Sequence, residues 1–280
     1  MEITIIGVGL IGGSIALSLK EKKFASKVYG IDKNEENLKK ALNLGIIDEA
    51  IDLEAAIEKS KVIILTIPVD AIKDLLPSII EKSTNQQVIV EMGSTKEQVL
   101  NTVNDHPNRG RLVAAHPMAG TEYSGPDAAV KDLFLNKTMV LCDVKNSDED
   151  ALEIIESLCE ALEMKIIFMN AIEHDLHTAY VSHISHITSF ALALTVLEKE
   201  KSQGRIFELA AGGFESTVRL AKSSPDMWVP IFEQNRENVL EVLAEHIRQL
   251  QNMHDVLKVE DYEAFKKLIK RSNKIKRIIK

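Results

Sequence analysis

The chain has 280 residues, of which 45% are hydrophobic and 27% charged, with a net charge of −8 and a pI near 5.6. That length predicts two domains of ~100–200 residues each, with a core large enough to need no disulfide or metal. The acidic balance excludes a nucleic-acid binder that works through a broad basic surface. The two cysteines, Cys142 and Cys159, lie outside any CxxC or metal-ligand spacing and read as reduced, apolar packers of a cytoplasmic protein. No basic leader precedes the first strand, and no apolar run reaches the ~18–20 residues that span a membrane; the most apolar stretch, Phe190 to Leu197, is far shorter.

Up to residue 168, short β-branched runs alternate with amphipathic helical patterns. The runs are 3–6, 28–31, 62–65, 88–90, 112–115, 139–141 and 166–168. Near-continuous apolar runs predict strands buried on both faces, as in a parallel sheet. Their alternation with helices predicts an α/β fold, here a Rossmann-type dinucleotide-binding domain over residues 1–168. From residue 169 to 280 the strand runs stop and helical periodicity predicts an all-helical domain. One long helix is expected over Ala171–Lys199, then helical segments over about Arg205–Lys222, Met227–Met253 and Tyr262–Ile279. The long helix is apolar on most sides from Ile184 onward, which predicts a homodimer formed through it. Ser223-Ser224-Pro225-Asp226 marks a break and a helix restart. The tail from Lys266 to Lys280 has eight basic residues and no acid, but Phe265, Leu268, Ile269, Ile275 and Ile279 keep a helical spacing. It reads as an amphipathic helix with a solvated basic face.

Gly7-Val8-Gly9-Leu10-Ile11-Gly12 follows the first strand and opens the first helix. This is GxGxxG in the context that gives it meaning. Gly7 permits the tight turn, Gly9 clears the approach of a pyrophosphate, and Gly12 lets helix and strand pack closely. The helix N-terminus offers free amides to the phosphates. Asp32, twenty residues beyond Gly12, would accept hydrogen bonds from the adenosine ribose and repel a 2′-phosphate, favouring NAD over NADP. Thr66 and Pro68 leave a later strand at the end where such sheets bind ligands, as further cofactor contacts or as plain turn residues.

His116-Pro117-Met118-Ala119-Gly120-Thr121-Glu122-Tyr123-Ser124-Gly125 follows the run ending at Ala115. A histidine past the C-terminal end of a parallel strand stands beside the cofactor. Its ordinary pKa near 6.5 suits a proton acceptor coupled to hydride loss, although a lone histidine can equally cap a loop. Ser94 heads a Ser-x-x-Glu pattern that resembles a helix capping box. His174, His177, His183 and His186 form two i,i+3 pairs that could ligate a metal, but no accompanying acid or cysteine cluster supports one, and none is expected.

The segment from His116 to Gly125 closely resembles the signature of the prephenate/arogenate dehydrogenase family. Glu91-Met92-Gly93-Ser94-Thr95-Lys96 is similar to the family's serine loop and Ser182-His183-Ile184-Ser185-His186 to its helical histidine motif. Gly212-Gly213-Phe214, with Arg219 and Trp228 beyond, is similar to its substrate-arginine segment. The four matches cover both halves of the chain in the family's order. The resemblance implies NAD-dependent oxidative decarboxylation of prephenate to 4-hydroxyphenylpyruvate in tyrosine biosynthesis, with arogenate dehydrogenase as the alternative. It implies His116 as the general base and Ser94 as its partner at the ring hydroxyl. It also implies Arg219 as a carboxylate clamp, suited by its bidentate fork, and His186, Glu122, Ser182 and Gly212 on the substrate side. Asp32 and Glu122 together lean toward prephenate with NAD. Tyrosine, which resembles the product, is expected to inhibit by occupying the same site. Two departures from the pattern bear on substrate contacts: Ser185 stands where many relatives carry Pro, and Ser216-Thr217 stands in a loop that is often more acidic or aromatic.

Overall fold

The computed structural model describes residues 1–203 and 205–277. The apolar runs of the first half form one eight-stranded sheet. In chain order its elements are β1 (Glu2–Ile6), α1 (Leu10–Glu21), β2 (Lys27–Ile31), α2 (Glu35–Asn43), β3 (Glu49–Ala50), α3 (Leu53–Lys59), β4 (Val62–Leu65), α4 (Val69–Lys82), β5 (Val88–Glu91), α5 (Glu97–Leu100), β6 (Leu112–Pro117), β7 (Thr138–Cys142), α6 (Glu149–Ala161) and β8 (Lys165–Met169). The strand order is β3-β2-β1-β4-β5-β6-β7-β8.

Alternation along the strands builds two apolar layers. Ile3, Ile5, Val62 and Ile64 face α1 and α6 on one side; Ile6, Ile63 and Leu65 face α3, α4 and α5 on the other. Each such side chain taken fully out of water contributes ~1.5–3 kcal/mol. The strand that reads as ending at Ala115 runs on to Pro117, because β7 pairs with it and places Val140 opposite His116. That pairing is antiparallel, so the parallel sheet expected from the runs holds from β3 through β6, and β7 and β8 run the other way. A direct return without a crossover helix makes the antiparallel pairing. The two-residue β3 is too short to leave an apolar run, and its sequence signal was missed. The run 166–168 reads as buried on both faces, but as an edge strand it leaves Ile167 44% and Phe168 53% exposed.

The helical half comprises α7 (Ala171–Thr178), α8 (Ile184–Gln203), α9 (Gly212–Val218), α10 (Pro225–Gln234), α11 (Arg236–Lys258) and α12 (Tyr262–Ser272). A π-helical turn over Ala179–His183 joins α7 to α8, so the long helix is continuous but carries one widened turn. The segment expected to be helical over Arg205–Lys222 is instead a short 3-10 turn, α9 and a second 3-10 turn. Ala210 and Ala211, in extended backbone, interrupt it, and α9 starts at Gly212. The segment over Met227–Met253 breaks at Asn235 between α10 and α11. After α12 a 3-10 turn covers Asn273–Arg277; the end of the helix expected to reach Ile279 lies outside the described residues.

One reading is corrected. Ala171–Lys201 is, by length and composition, apolar enough to cross a membrane, its best window averaging 1.3 in mean hydropathy. The segment nevertheless buries His174, Asp175 and His183 among protein hydrogen-bond partners. Only 11% of its apolar window is buried within the chain.

Candidate functional site

The nucleotide loop is formed where β1 turns into α1. Gly7 has φ +98°, and a Cβ there would stand 2.7 Å from Ile67 and 2.8 Å from the Thr66 carbonyl, so glycine is required. At Gly12 a Cβ would meet the Gly7 carbonyl at 2.1 Å, which ties the first turn of α1 closely to the strand. Gly9 differs: a Cβ there would meet nothing within 4 Å. The loop thus leaves an open cradle beside Gly9 and the first residues of α1, Leu10 and Ile11. No side chain caps that helix end, so its amides are available to an anion. Asp32 follows β2 and is held beside the loop by the amides of Val8 (3.1 Å) and Asn34 (2.9 Å). This donor set fits a dinucleotide with a free ribose. The Thr66 hydroxyl is committed to the carbonyls of Gly7 (2.8 Å) and Ile6 (3.1 Å) and clamps the loop, while Pro68 stands at the start of α4.

A few strands along the same sheet edge lies a polar cluster between the two halves. His116, half-buried at the end of β6, places Nδ1 2.8 Å from Nε2 of His174 on α7. His174 Nδ1 lies 2.7 Å from Asp175 Oδ1. Asp175 also accepts the backbone amides of Lys96 (2.8 Å) and Glu97 (2.9 Å). It therefore caps α5, the task the Ser-x-x-Glu pattern assigned to Ser94. The fully buried Lys96 ammonium pairs with Glu91 and donates to the Ala115 carbonyl at 2.7 Å, which pins the peptide preceding His116. Among the described residues Ser94 makes no hydrogen bond to His116; it sits half-buried on the loop between Gly93 and the buried Thr95.

Burial pushes the His116 imidazole well below its ordinary pKa, and the neighbouring His174 adds to the effect. Burial lowers His174 as well and takes His183 down to about 4. All three are neutral near pH 7. Burial also pushes the Glu91 carboxyl up, against the pull of Lys96.

The π turn leads to the second part of the cluster. Asn235 donates to the Asp175 carbonyl (2.6 Å) and contacts His183 Nδ1 (3.1 Å). His186 stacks on Trp228, ring centroids 3.5 Å apart, with Nδ1 3.1 Å from the Ser182 carbonyl. Burial lowers its pKa, and the positive charge of Arg219 contributes in the same direction, which places Arg219 on this side of the cleft. Arg219 donates to Glu122 at 2.8 Å. The Glu122 carboxyl is held below the usual range by its own backbone amide and then by Arg219. Ser185, where many relatives carry Pro, donates its hydroxyl to the Val181 carbonyl at 3.2 Å, within the widened turn. Gly212 begins α9 in the open, with nothing within 4 Å of a Cβ.

The structure therefore pairs Glu122 with Arg219, His186 with the Ser182 carbonyl and His116 with His174, and places the glycine loop with Asp32 at the sheet edge where β6 ends. The sequence reading missed His174 and Asp175 as partners of His116, and Asn235 as the link to His183. An adjacent His-Asp pair at the start of the helix after the last strand was the available signal.

Comparison with known proteins gives the following. A family model described as prephenate dehydrogenase, nucleotide-binding domain, matches residues 15–168, and one described as prephenate dehydrogenase, dimerization domain, matches residues 170–271. The chain is 32% identical to a prephenate dehydrogenase of Bacillus subtilis (strain 168), over 93% of this chain and 71% of that protein. A crystal structure of prephenate dehydrogenase from A. aeolicus in complex with hydroxyphenyl propionate and NAD+ superposes with a TM-score of 0.88 at 30% identity, over 99% of this chain and 97% of that one. An arogenate dehydrogenase from Synechocystis superposes with a TM-score of 0.77 at 25% identity, over 99% of both chains.

Proposed function

Because this chain belongs to the prephenate dehydrogenase family, we propose that the cleft between its halves oxidises and decarboxylates prephenate, with His116 as the general base. The chain is an NAD-dependent oxidoreductase of tyrosine biosynthesis. The observation that carries the assignment of roles is the position of His116. It ends a strand on the sheet edge that holds the nucleotide cradle, and it has one ring nitrogen occupied by a second histidine.

NAD, when bound, supplies the hydride acceptor. The ring carbinol carbon gives up its hydride while a neutral His116 takes the hydroxyl proton, and a C=O forms. The bond from the ring to its carboxylate then breaks. Its electron pair passes through the ring to that carbonyl oxygen, CO2 leaves, and aromatisation drives the loss. The proton held by His116 returns to the oxygen, giving 4-hydroxyphenylpyruvate with no net proton change on the protein. Burial keeps His116 neutral and able to accept, and Ser94 orients the reacting hydroxyl. Arg219 holds a substrate carboxylate through its planar fork, displacing or sharing its contact with Glu122. His186, backed by Trp228, meets the same end of the substrate, with Ser182 and Gly212 beside it.

In this reading residues 1–168 bind NAD and residues 169–280 hold the substrate and a second copy of the chain. Leu194 and Leu197 on α8 and Ile247 and Leu250 on α11 are all exposed, and covering them in a homodimer suits a dimerization domain. Tyrosine, a close likeness of the product, competes for the same cleft; a titration in which tyrosine leaves the KM for prephenate unchanged would remove that part. Initial rates of NADH formation with prephenate and with arogenate test the substrate. A higher kcat/KM with prephenate is expected; a higher one with arogenate moves the substrate and keeps the mechanism.

A further inference from the structure

His116 has two ring nitrogens, and only one of them can serve as the base. The hydrogen bonds around it decide which. Asp175 is an acceptor at both oxygens, since two backbone amides donate to it, from Lys96 (2.8 Å) and Glu97 (2.9 Å). His174 Nδ1, 2.7 Å from Asp175 Oδ1, must therefore carry a proton. A neutral imidazole has one N–H and one lone pair, so His174 Nε2 is left as an acceptor. His116 Nδ1, 2.8 Å from that atom, must then be the donor. The proton of neutral His116 sits on Nδ1, and Nε2 carries the lone pair.

Resting on the reading of His116 as the base, we propose that His174 and Asp175 are positioning residues that lock His116 in the Nδ1–H tautomer and so aim Nε2 at the substrate hydroxyl. When His116 takes the substrate proton at Nε2, the same Nδ1–H···His174 bond becomes charge-assisted and strengthens. Asp175 holds the ring of His174 in place through all of this. Its carboxylate is anchored at the start of α5, and its carbonyl is held by Asn235 at 2.6 Å. The arrangement follows the general logic of a base oriented by a third group. The middle position is a histidine, and the acid lies one step further from the reacting atom.

The test uses the full-length protein and two readouts. Nitrogen-15 NMR of protein labelled at histidine reports the tautomer of His116 directly, with its signals assigned by their loss in His116→Asn. The Nδ1–H form with an unprotonated Nε2 is expected in the unaltered chain; the Nε2–H form would overturn the proposal without any variant being made. Steady-state kinetics then compare His174→Phe with His174→Gln. Glutamine places its side-chain carbonyl where His174 Nε2 stood and can accept from His116; phenylalanine cannot. Loss of kcat by roughly 10²–10⁴-fold is expected in His174→Phe, the range of a general base's contribution, with the KM for NAD unchanged and partial recovery in His174→Gln. Full kcat in a folded His174→Phe, or equal losses in both variants, would overturn it. The tautomer readout needs no substrate, so failure of the prephenate reading leaves it standing. Failure of the relay, in turn, leaves prephenate turnover by the unaltered chain intact.

Discussion

A neutral imidazole in a desolvated cleft is the group on which the chemistry turns. Because burial holds His116 well below 6.5, the base stays deprotonated as pH falls through that value and is lost only when its own lower pKa is crossed. The acid limb of log kcat/KM for prephenate should therefore break below pH 6.5, as a pH–rate profile will show; a break above 6.5 would contradict a buried base. The glycines of the loop make a second prediction at this scale. Gly9→Ala should leave the melting temperature unchanged, since its Cβ meets nothing within 4 Å. It should raise the KM for NAD by roughly tenfold or more, ~1.4 kcal/mol, by filling the cradle. Gly12→Ala drives a Cβ to 2.1 Å from a backbone carbonyl, so it should also destabilise the fold by ~1–3 kcal/mol. Equal effects of the two on stability would contradict the assignment. These residues were legible because their types and spacing are tied to one task. His174 and Asp175 were not, because their partners lie 58 residues away for His116 and 79 for Lys96, and the adjacent His-Asp pair marks a local motif without naming those partners.

Between α7 and α8 the π turn sets which residues share the cleft. Its widened geometry lets His174 face His116 while His183 meets Asn235 and His186 meets Trp228. π turns of this kind occur frequently at functional sites. Inserting one alanine after Val181, 65% exposed within the turn, should add a residue that the already widened turn cannot absorb and rotate α8 against α7 by about 100°. His186 would leave Trp228. Calorimetry should find NAD binding intact and prephenate turnover lost; retained turnover would show that the turn is incidental. Apolar periodicity could predict the long helix but not the widened turn, since one extra residue per turn barely alters the hydrophobic pattern. The strand runs were equally clear, and the reversal of β7 and β8 was not, because a buried strand has the same composition in either direction. The helical expectation over Arg205–Lys222 failed where Ala210 and Ala211 turn extended ahead of α9, although the apolar spacing continues.

As a whole, the molecule leaves a long apolar helix largely bare: 11% of the apolar window of Ala171–Lys201 is buried within the chain. A second copy is the cover that suits a dimerization domain. Leu194, 60% exposed, and Ile247, 56% exposed, then lie in the interface, where an unpaired carboxylate is costly. Sedimentation equilibrium should give a dimer for the unaltered chain and a shift toward monomer for Leu194→Glu with Ile247→Glu. A dimer unaffected by both would place the interface elsewhere. The long helix was visible in sequence over Ala171–Lys199, but its most apolar stretch was read as Phe190 to Leu197, far short of the apolar window within Ala171–Lys201.

The central claim is that one cleft, with His116 as its base, couples hydride transfer from prephenate to loss of its ring carboxylate. Parallel measurement of NADH and CO2 from NAD and prephenate, with the unaltered chain and with His116→Asn, tests it most directly. Equal amounts of NADH and CO2 are predicted from the unaltered chain. In the variant both should be lost while NAD still binds. Comparable turnover by a His116→Asn variant would contradict the account, as would NADH formed without CO2.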